Sequence, residues 1–270
     1  MTRAVSREIR VTSIDIFPIK SCRGITVTRA EVTRRGLALD RRWMIVEREG
    51  GRFVSQREEA RLALVDVAVR EGALALSAPG MGALALPVAH DEGARRDVTV
   101  WRTTVPAAVH REGSEWMSAY LSRALDLVYL PDDVHREINP KYAAPGDHVS
   151  FADGYPLLLA SEGSLADLNA RLAAPLPMRR FRPNVTISGA AAWDEETWPS
   201  VRIGALSFRA PKPCERCVVT TIDPATAEKG PEPLRTLAAY RNREGAVWFG
   251  MNLVPDAEGQ LAIGDVVLPG

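Results

Sequence analysis

Residues 210–224, "APKPCERCVVTTIDP", hold two of only three cysteines in a chain of 270 residues. Cys214 and Cys217 stand at CxxC spacing, with Arg216 directly before the second. The following run, Val218 to Thr221, is β-branched and helix-averse, so it reads as a strand opened by Cys217. That weighs against a thioredoxin-like dithiol, whose nucleophile normally opens a helix. A structural zinc site needs four ligands. Beyond this pair the chain offers Cys22 and four scattered histidines, His90, His110, His135 and His148, at no finger-like spacing. A third reading makes one thiolate a single ligand to a soft metal centre carried by an organic cofactor, with Arg216 favouring the deprotonated form. The fourth is a pair of small apolar side chains packed at a strand end.

Working outward, strand signals dominate. "RVTSIDIFPIK", "GITVTRAEVT", "RRWMIVEREGGRFVSQ", "RLALVDVAVREGALALSA" and "GALALPVA" are short β-prone runs, with Gly50-Gly51 and Glu71-Gly72 as tight hairpin turns. Residues 114–125 change period: Trp116, Tyr120 and Leu121 fall at helical spacing behind Ser114 as N-cap. The polar stretch 132–147, "DDVHREINPKYAAPGD", reads as a boundary or functional loop. Further on, Leu165, Leu168 and Leu172 share a helical face, with Ser164 and Asp167 resembling a capping box. "EPLRTLAAYR" reads as a short helix, and "NVTISG", "VRIGALSFRA" and "LAIGDVVL" as strands. The six tryptophans, among them Trp193, Trp198 and Trp248, could line a substrate mouth or fill a core, and read mostly as core. The expected fold is β-rich α+β.

Lys plus Arg and Asp plus Glu are equal at 34 each, giving no global reason to expect nucleic acid or an acidic membrane surface. No apolar run approaches the ~20 residues of a membrane span. The N-terminal "MTRAVSREIRVTSIDIFPIK" has no continuous apolar region of secretory type. With few thiols as well, the chain reads as soluble and cytoplasmic. Basic residues recur at strand ends: Lys20 in "FPIKSCRG", Asp40-Arg41-Arg42 in "LALDRRWMIV", and Arg179, Arg180 and Arg182 in "MRRFRPNVTI". Arginine's planar fork suits phosphate, so converging strand ends point to an anionic cofactor.

Together these motifs carry a resemblance. Residues 14–65 resemble the N-terminal β-barrel domain that accompanies MOSC domains. "FADGYPLLLASEGSLADLNARL", "FRPNVTISG", "PCERCVVTTIDPATAEKGPEPLRTL" and "WFGMNLV" resemble the MOSC domain itself, named for the C-terminal part of molybdenum-cofactor sulfurase. The resemblance implies a β-barrel-like domain over 8–130 packed with a MOSC domain, a β-barrel with a few helices, over 131–270. By pattern the family is that of the mitochondrial amidoxime-reducing components and their YcbX-like bacterial counterparts. It implies a molybdenum-cofactor (Mo-molybdopterin) reductase of N-hydroxylated compounds: hydroxylamines, amidoximes or N-hydroxylated bases. Cys217 would ligate the metal, with Cys214 its unligated neighbour. Lys20, Ser21 and Arg41 would hold the pterin and its phosphate, and Arg182, Asn184 and Arg216 would contact the cofactor. Asp153, Gly154 and Tyr155 would line the same site, joined by Asn252. Arg42, Arg179 and Arg180 read as surface or packing residues.

The resemblance also bears on partners. Some bacterial relatives continue into an iron–sulfur domain and mitochondrial ones carry a targeting segment; neither pattern is present in these 270 residues. A separate electron donor of ferredoxin, flavodoxin or cytochrome type with its reductase is therefore expected, without nucleic acid or membrane. The competing reading is a molybdenum-cofactor or sulfur carrier that uses Cys217 as a docking or persulfide-bearing thiol.

Overall fold

The computed structural model describes residues 8–138 and 140–270. Residues 1–7 of the N-terminal stretch, and Asn139 of the polar stretch 132–147, lie outside the described residues. Among these the architecture is β-rich α+β, with three α-helices, Arg111–Leu121, Glu162–Asn169 and Leu234–Tyr240. The principal sheet runs in the order Val267–Pro269, Ser200–Ile203, Leu206–Glu215, Ala246–Pro255, Leu157–Ser161, Val185–Ser188, Arg10–Ile16, Ile25–Val27. Its neighbours are antiparallel except Leu157–Ser161 beside Val185–Ser188, which the helix Glu162–Asn169 connects as a parallel crossover. The sheet's apolar face packs Ile14, Leu159, Ile187, Phe208 and Leu253 into one core.

A second body is built on the sheet Trp43–Glu47, Leu125–Tyr129, Thr103–His110, Arg95–Val100. The continuous apolar run of Trp43–Glu47 has a simple cause. Alternation sends Trp43 and Ile45 into one core cluster and Met44 and Val46 into another, so the strand is buried on both faces. A third sheet, Asp66–Arg70, Ala73–Ser77 and Leu84–Pro87, closes over the Trp43 side.

Residues 10–33 are stitched to distant parts of the chain. Arg10–Ile16 pairs with Val185–Ser188, and Arg29–Thr33 pairs with Gly259–Ala262. Between them, residues 17–21 leave the principal sheet and reach the second body, where the Lys20 N–H donates to the Trp43 carbonyl at 2.8 Å. Arg41 and Phe151 hydrogen-bond into the same seam, through Arg41 N–H to Phe17 O and Phe151 N–H to Arg41 O. Gly36 permits a close approach at this junction. Its φ is +106°, and a Cβ there would collide with the Pro156 carbonyl.

Local readings needed correction in four places. Val218–Thr221 is a 3-10 turn with Cys217 at its N-cap, not a strand. The Thr220 and Thr221 hydroxyls donate back to the carbonyls of Cys217 and Val218, a local bonding pattern that competes with sheet pairing. Residues 60–64, read as the start of a strand, form another 3-10 turn. His110, not Ser114, caps Arg111–Leu121, accepting the Gly113 N–H on Nδ1. Ser161, not Ser164, caps Glu162–Asn169, because the Ser164 hydroxyl is committed to buried Glu195. Of the tryptophans, Trp43 and Trp198 are buried, whereas Trp101 is exposed.

Candidate cofactor-binding cavity

The seam encloses a cavity of about 180 Å³. Every site residue read from the sequence lines it: Lys20, Ser21, Arg41, Asp153, Gly154, Tyr155, Arg182, Asn184, Arg216, Cys217 and Asn252. Ser55, Arg57, Phe181 and Cys214 line it too. The three sequence segments that supply Ser21, Arg41 and Arg182 each turn sharply here. All three residues adopt left-handed φ, at 72°, 50° and 55°. Such conformations cost about 1–3 kcal/mol each and cluster where geometry serves a site.

Cys217 presents its sulfur to an arginine that sequence reasoning missed. Arg57 Nη2 donates to Cys217 Sγ at 3.1 Å. Arg57 is fixed by ion pairing with Asp153 at 3.6 Å and by stacking on Trp101 at 4.7 Å. Arg216 serves the other thiol: its Nη1 donates to Cys214 Sγ at 3.0 Å and its Nη2 to the Phe181 carbonyl at 2.7 Å. In extended backbone, adjacent side chains diverge while i and i+2 converge. Arg216 therefore turns toward Cys214 and away from Cys217, contrary to the reading from proximity in sequence. All three cysteines are free thiols, and among the described residues no group of three His, Cys, Asp or Glu is placed to hold a metal ion by itself. Cys22 is fully buried, and burial pushes its thiol up to about 12.

The remaining polar groups divide into anchors and free charge. Asn184, 1% exposed, accepts from Leu158 N–H and Arg41 Nη1 and donates to the Asp15 carbonyl. It acts as a clamp that orients Arg41, which also pairs with buried Asp40 at 2.6 Å. Asp40 in turn accepts the Phe17 N–H, and Arg41 and Arg182 both lie over the Phe17 ring, at 4.5 and 4.2 Å. Asn252 donates to the carbonyls of Lys212 and Pro213. Arg180, read as packing, pairs with Asp223, and Arg42 pairs with Asp132.

Lys20 is buried and donates to the Phe151 carbonyl at 2.7 Å and to Asp153 at 2.5 Å. Burial pushes its ammonium down to about 8 in spite of Asp153. Burial works to raise Asp153, but Lys20, Arg57 and the Trp101 N–H override it and hold the carboxyl well below the usual range. Arg182 has the Cys22 carbonyl as its hydrogen-bond partner, at 2.7 Å, and burial followed by the Arg41 charge pushes it down to about 9.

Five cationic side chains, Lys20, Arg41, Arg57, Arg182 and Arg216, thus line the cavity against the carboxylates Asp153 and Glu215. The Nε of Arg216 is buried without a partner. A multiply charged anion bearing several acceptor oxygens fits this donor surplus, and the half-buried Cys217 thiol lines the same cavity.

Comparisons with known proteins cover most of the chain. Residues 8–124 match the family described as the MOSC N-terminal beta barrel domain, and residues 146–268 match the MOSC domain. The chain is 34% identical over 278 residues to mitochondrial amidoxime reducing component 2 of Rattus norvegicus, covering 95% of this chain and 82% of that protein. It is 32% identical over 290 residues to mitochondrial amidoxime-reducing component 1 of Homo sapiens, with the same coverage. Among solved structures, the YUAD protein from Bacillus subtilis aligns at 9% identity and a TM-score of 0.42, over 96% of this chain and 93% of that one. No helix among the described residues is long and apolar enough to cross a membrane.

Proposed function

This chain belongs to the MOSC-domain family that includes the amidoxime-reducing components, and on that premise we propose that it is a molybdenum-cofactor-dependent reductase of N-hydroxylated compounds. The observation that carries the reading is the convergence of residues from separate segments, with surplus positive charge, around the Cys217 sulfur. Lys20, Ser21, Arg41 and Arg182 would hold the pterin phosphate, with Asn184 fixing Arg41. Cys217 would ligate the metal. The bound group supplies the two-electron centre, which the protein alone lacks.

The residues then have defined tasks. Arg57 holds the Cys217 sulfur in place and neutralises thiolate charge without competing for ligation. Arg216 engages the Cys214 sulfur, so the two thiols of the lining have different arginine partners. The Lys20–Asp153 pair stands beside Arg57 and ties the two bodies together across the seam. Reduction of an amidoxime consumes two electrons and two protons and yields the amidine and water. The electrons would come from a separate ferredoxin-, flavodoxin- or cytochrome-type donor.

Turnover of an amidoxime with a reduced viologen tests the reading in Cys217→Ser and Cys214→Ser proteins. Loss in the first and retention in the second is expected. Full turnover in Cys217→Ser would remove the ligand assignment. A cyanide-labile persulfide on Cys217 with no turnover would favour a sulfur carrier instead.

A further inference from the structure

Two of the five exposed large apolar side chains among the described residues adjoin residues that line this cavity: Val218 follows Cys217, and Trp101 contacts Arg57 and Asp153. Val218 is 43% exposed. Trp101, 49% exposed, occupies the two-residue turn between Arg95–Val100 and Thr103–His110, where Val100 pairs with Thr103. Its φ is +56°. Two-residue hairpin turns of this kind favour Asn or Gly, because a bulky side chain is strained at positive φ. A large aromatic residue is therefore held in the least suitable backbone state, with half its surface in water. Local backbone preference gives no reason for it.

Its contacts do. The Trp101 indole N–H donates to Asp153 Oδ1 at 3.2 Å, and Phe53 meets the ring edge-on at 5.1 Å. The Arg57 guanidinium lies 4.7 Å from the ring centroid while the same side chain reaches Cys217 Sγ. Trp101 is thus one residue removed from the sulfur, fixed by two residues that line the cavity. A substrate whose N–O group approaches Cys217 from the Arg57 side would bring its substituent to Trp101.

We infer that Trp101 is a specificity-determining residue: its free surface is a platform on which the flat π-system of an aryl N-hydroxy substrate lies, selecting aryl over alkyl compounds. The inference rests on the reductase reading above. Offset aromatic stacking corresponds to about a threefold to tenfold preference. The small N–O end makes the same contacts in aryl and alkyl substrates, so the alkyl compound serves as the internal control.

The test is calorimetric titration of the purified protein with benzamidoxime and with acetamidoxime, which share the reacting group and differ in the ring. Wild type, Trp101→Ala and Trp101→Phe are compared, followed by KM and kcat for both compounds. The expected result is a severalfold tighter benzamidoxime affinity in wild type, largely kept in Trp101→Phe and levelled in Trp101→Ala. The ratio of kcat/KM for benzamidoxime to that for acetamidoxime should fall severalfold in Trp101→Ala and hold in Trp101→Phe, and any change passed on through Arg57 is common to both compounds and cancels in the ratio. Equal affinities in wild type, or a preference that survives Trp101→Ala, would overturn the platform. So would loss of both compounds together, which a structural role predicts, or a defect confined to the electron-donor protein. A binding preference without turnover in wild type would support the platform and count against the reductase reading alone.

Discussion

Replacing Glu195 by glutamine should flatten the pH dependence of stability. Glu195 is fully buried beneath the Glu162–Asn169 helix, where the Ser164 hydroxyl donates to its carboxylate at 2.6 Å. Burial raises its carboxyl from 4.5 to about 7, and the Ser164 bond offsets only part of that. The neighbouring Glu196, bridged to Arg241 and Arg243, adds to the rise. Because the folded-state value is the higher one, folding takes up a proton between about 4.5 and 7. The associated stability is fully present below 4.5 and is lost as pH rises through 7. At ~1.4 kcal/mol per tenfold change in proton affinity, the loss comes to about 3 kcal/mol. Glutamine keeps the shape and an acceptor for Ser164 but cannot ionise, and any mismatch of its amide N–H costs the same at every pH. Urea unfolding of both proteins at pH 4.5 and pH 8 gives the double difference directly. The expected value is about 3 kcal/mol in favour of the variant at the higher pH. A double difference near zero would mean that the folded protein does not raise the Glu195 carboxyl.

Two further outcomes follow from packing and chemistry. Cys214 and Cys217 should react with a thiol reagent in the native protein, whereas Cys22, fully buried with its thiol pushed up, should react only after unfolding; titration of free thiols before and after denaturant checks this. Gly36→Ala places a Cβ at positive φ against the Pro156 carbonyl and should destabilise by about 2 kcal/mol or more, lowering Tm by roughly 5 °C; an unchanged Tm would mean the junction relaxes freely.

How much of this was legible in the sequence depends on whether a residue's role is local. Strand runs and hairpin glycines are local, so the β-rich class and the turns at Gly50-Gly51 and Glu71-Gly72 could be read. Basic residues at strand ends could be read as anion donors, and the cavity gathers Lys20, Arg41 and Arg182 from three such ends. Arg57 could not, because "SQREEA" looks like a solvated charged loop and its partner Cys217 is 160 residues away. Trp101 could not be singled out among the six tryptophans, because nothing in "VTVWRTTVP" signals that the tryptophan sits at the turn itself. The Cys217 strand failed for a different reason. Thr220 and Thr221 have β-prone side chains, but their hydroxyls bond to their own turn once no neighbouring strand is in register. The pairing of Arg10–Ile16 with Val185–Ser188 is likewise a long-range event with no local signature.

The proposed reductase requires molybdenum bound through Cys217 in the cavity lined by Lys20, Arg41 and Arg182. Elemental analysis of protein purified from a molybdate-fed host able to make the cofactor, beside Cys217→Ala, tests it most directly. Molybdenum near one atom per chain in wild type, lost in Cys217→Ala, is the predicted result. Molybdenum absent from both, or equally retained in the variant, would contradict it.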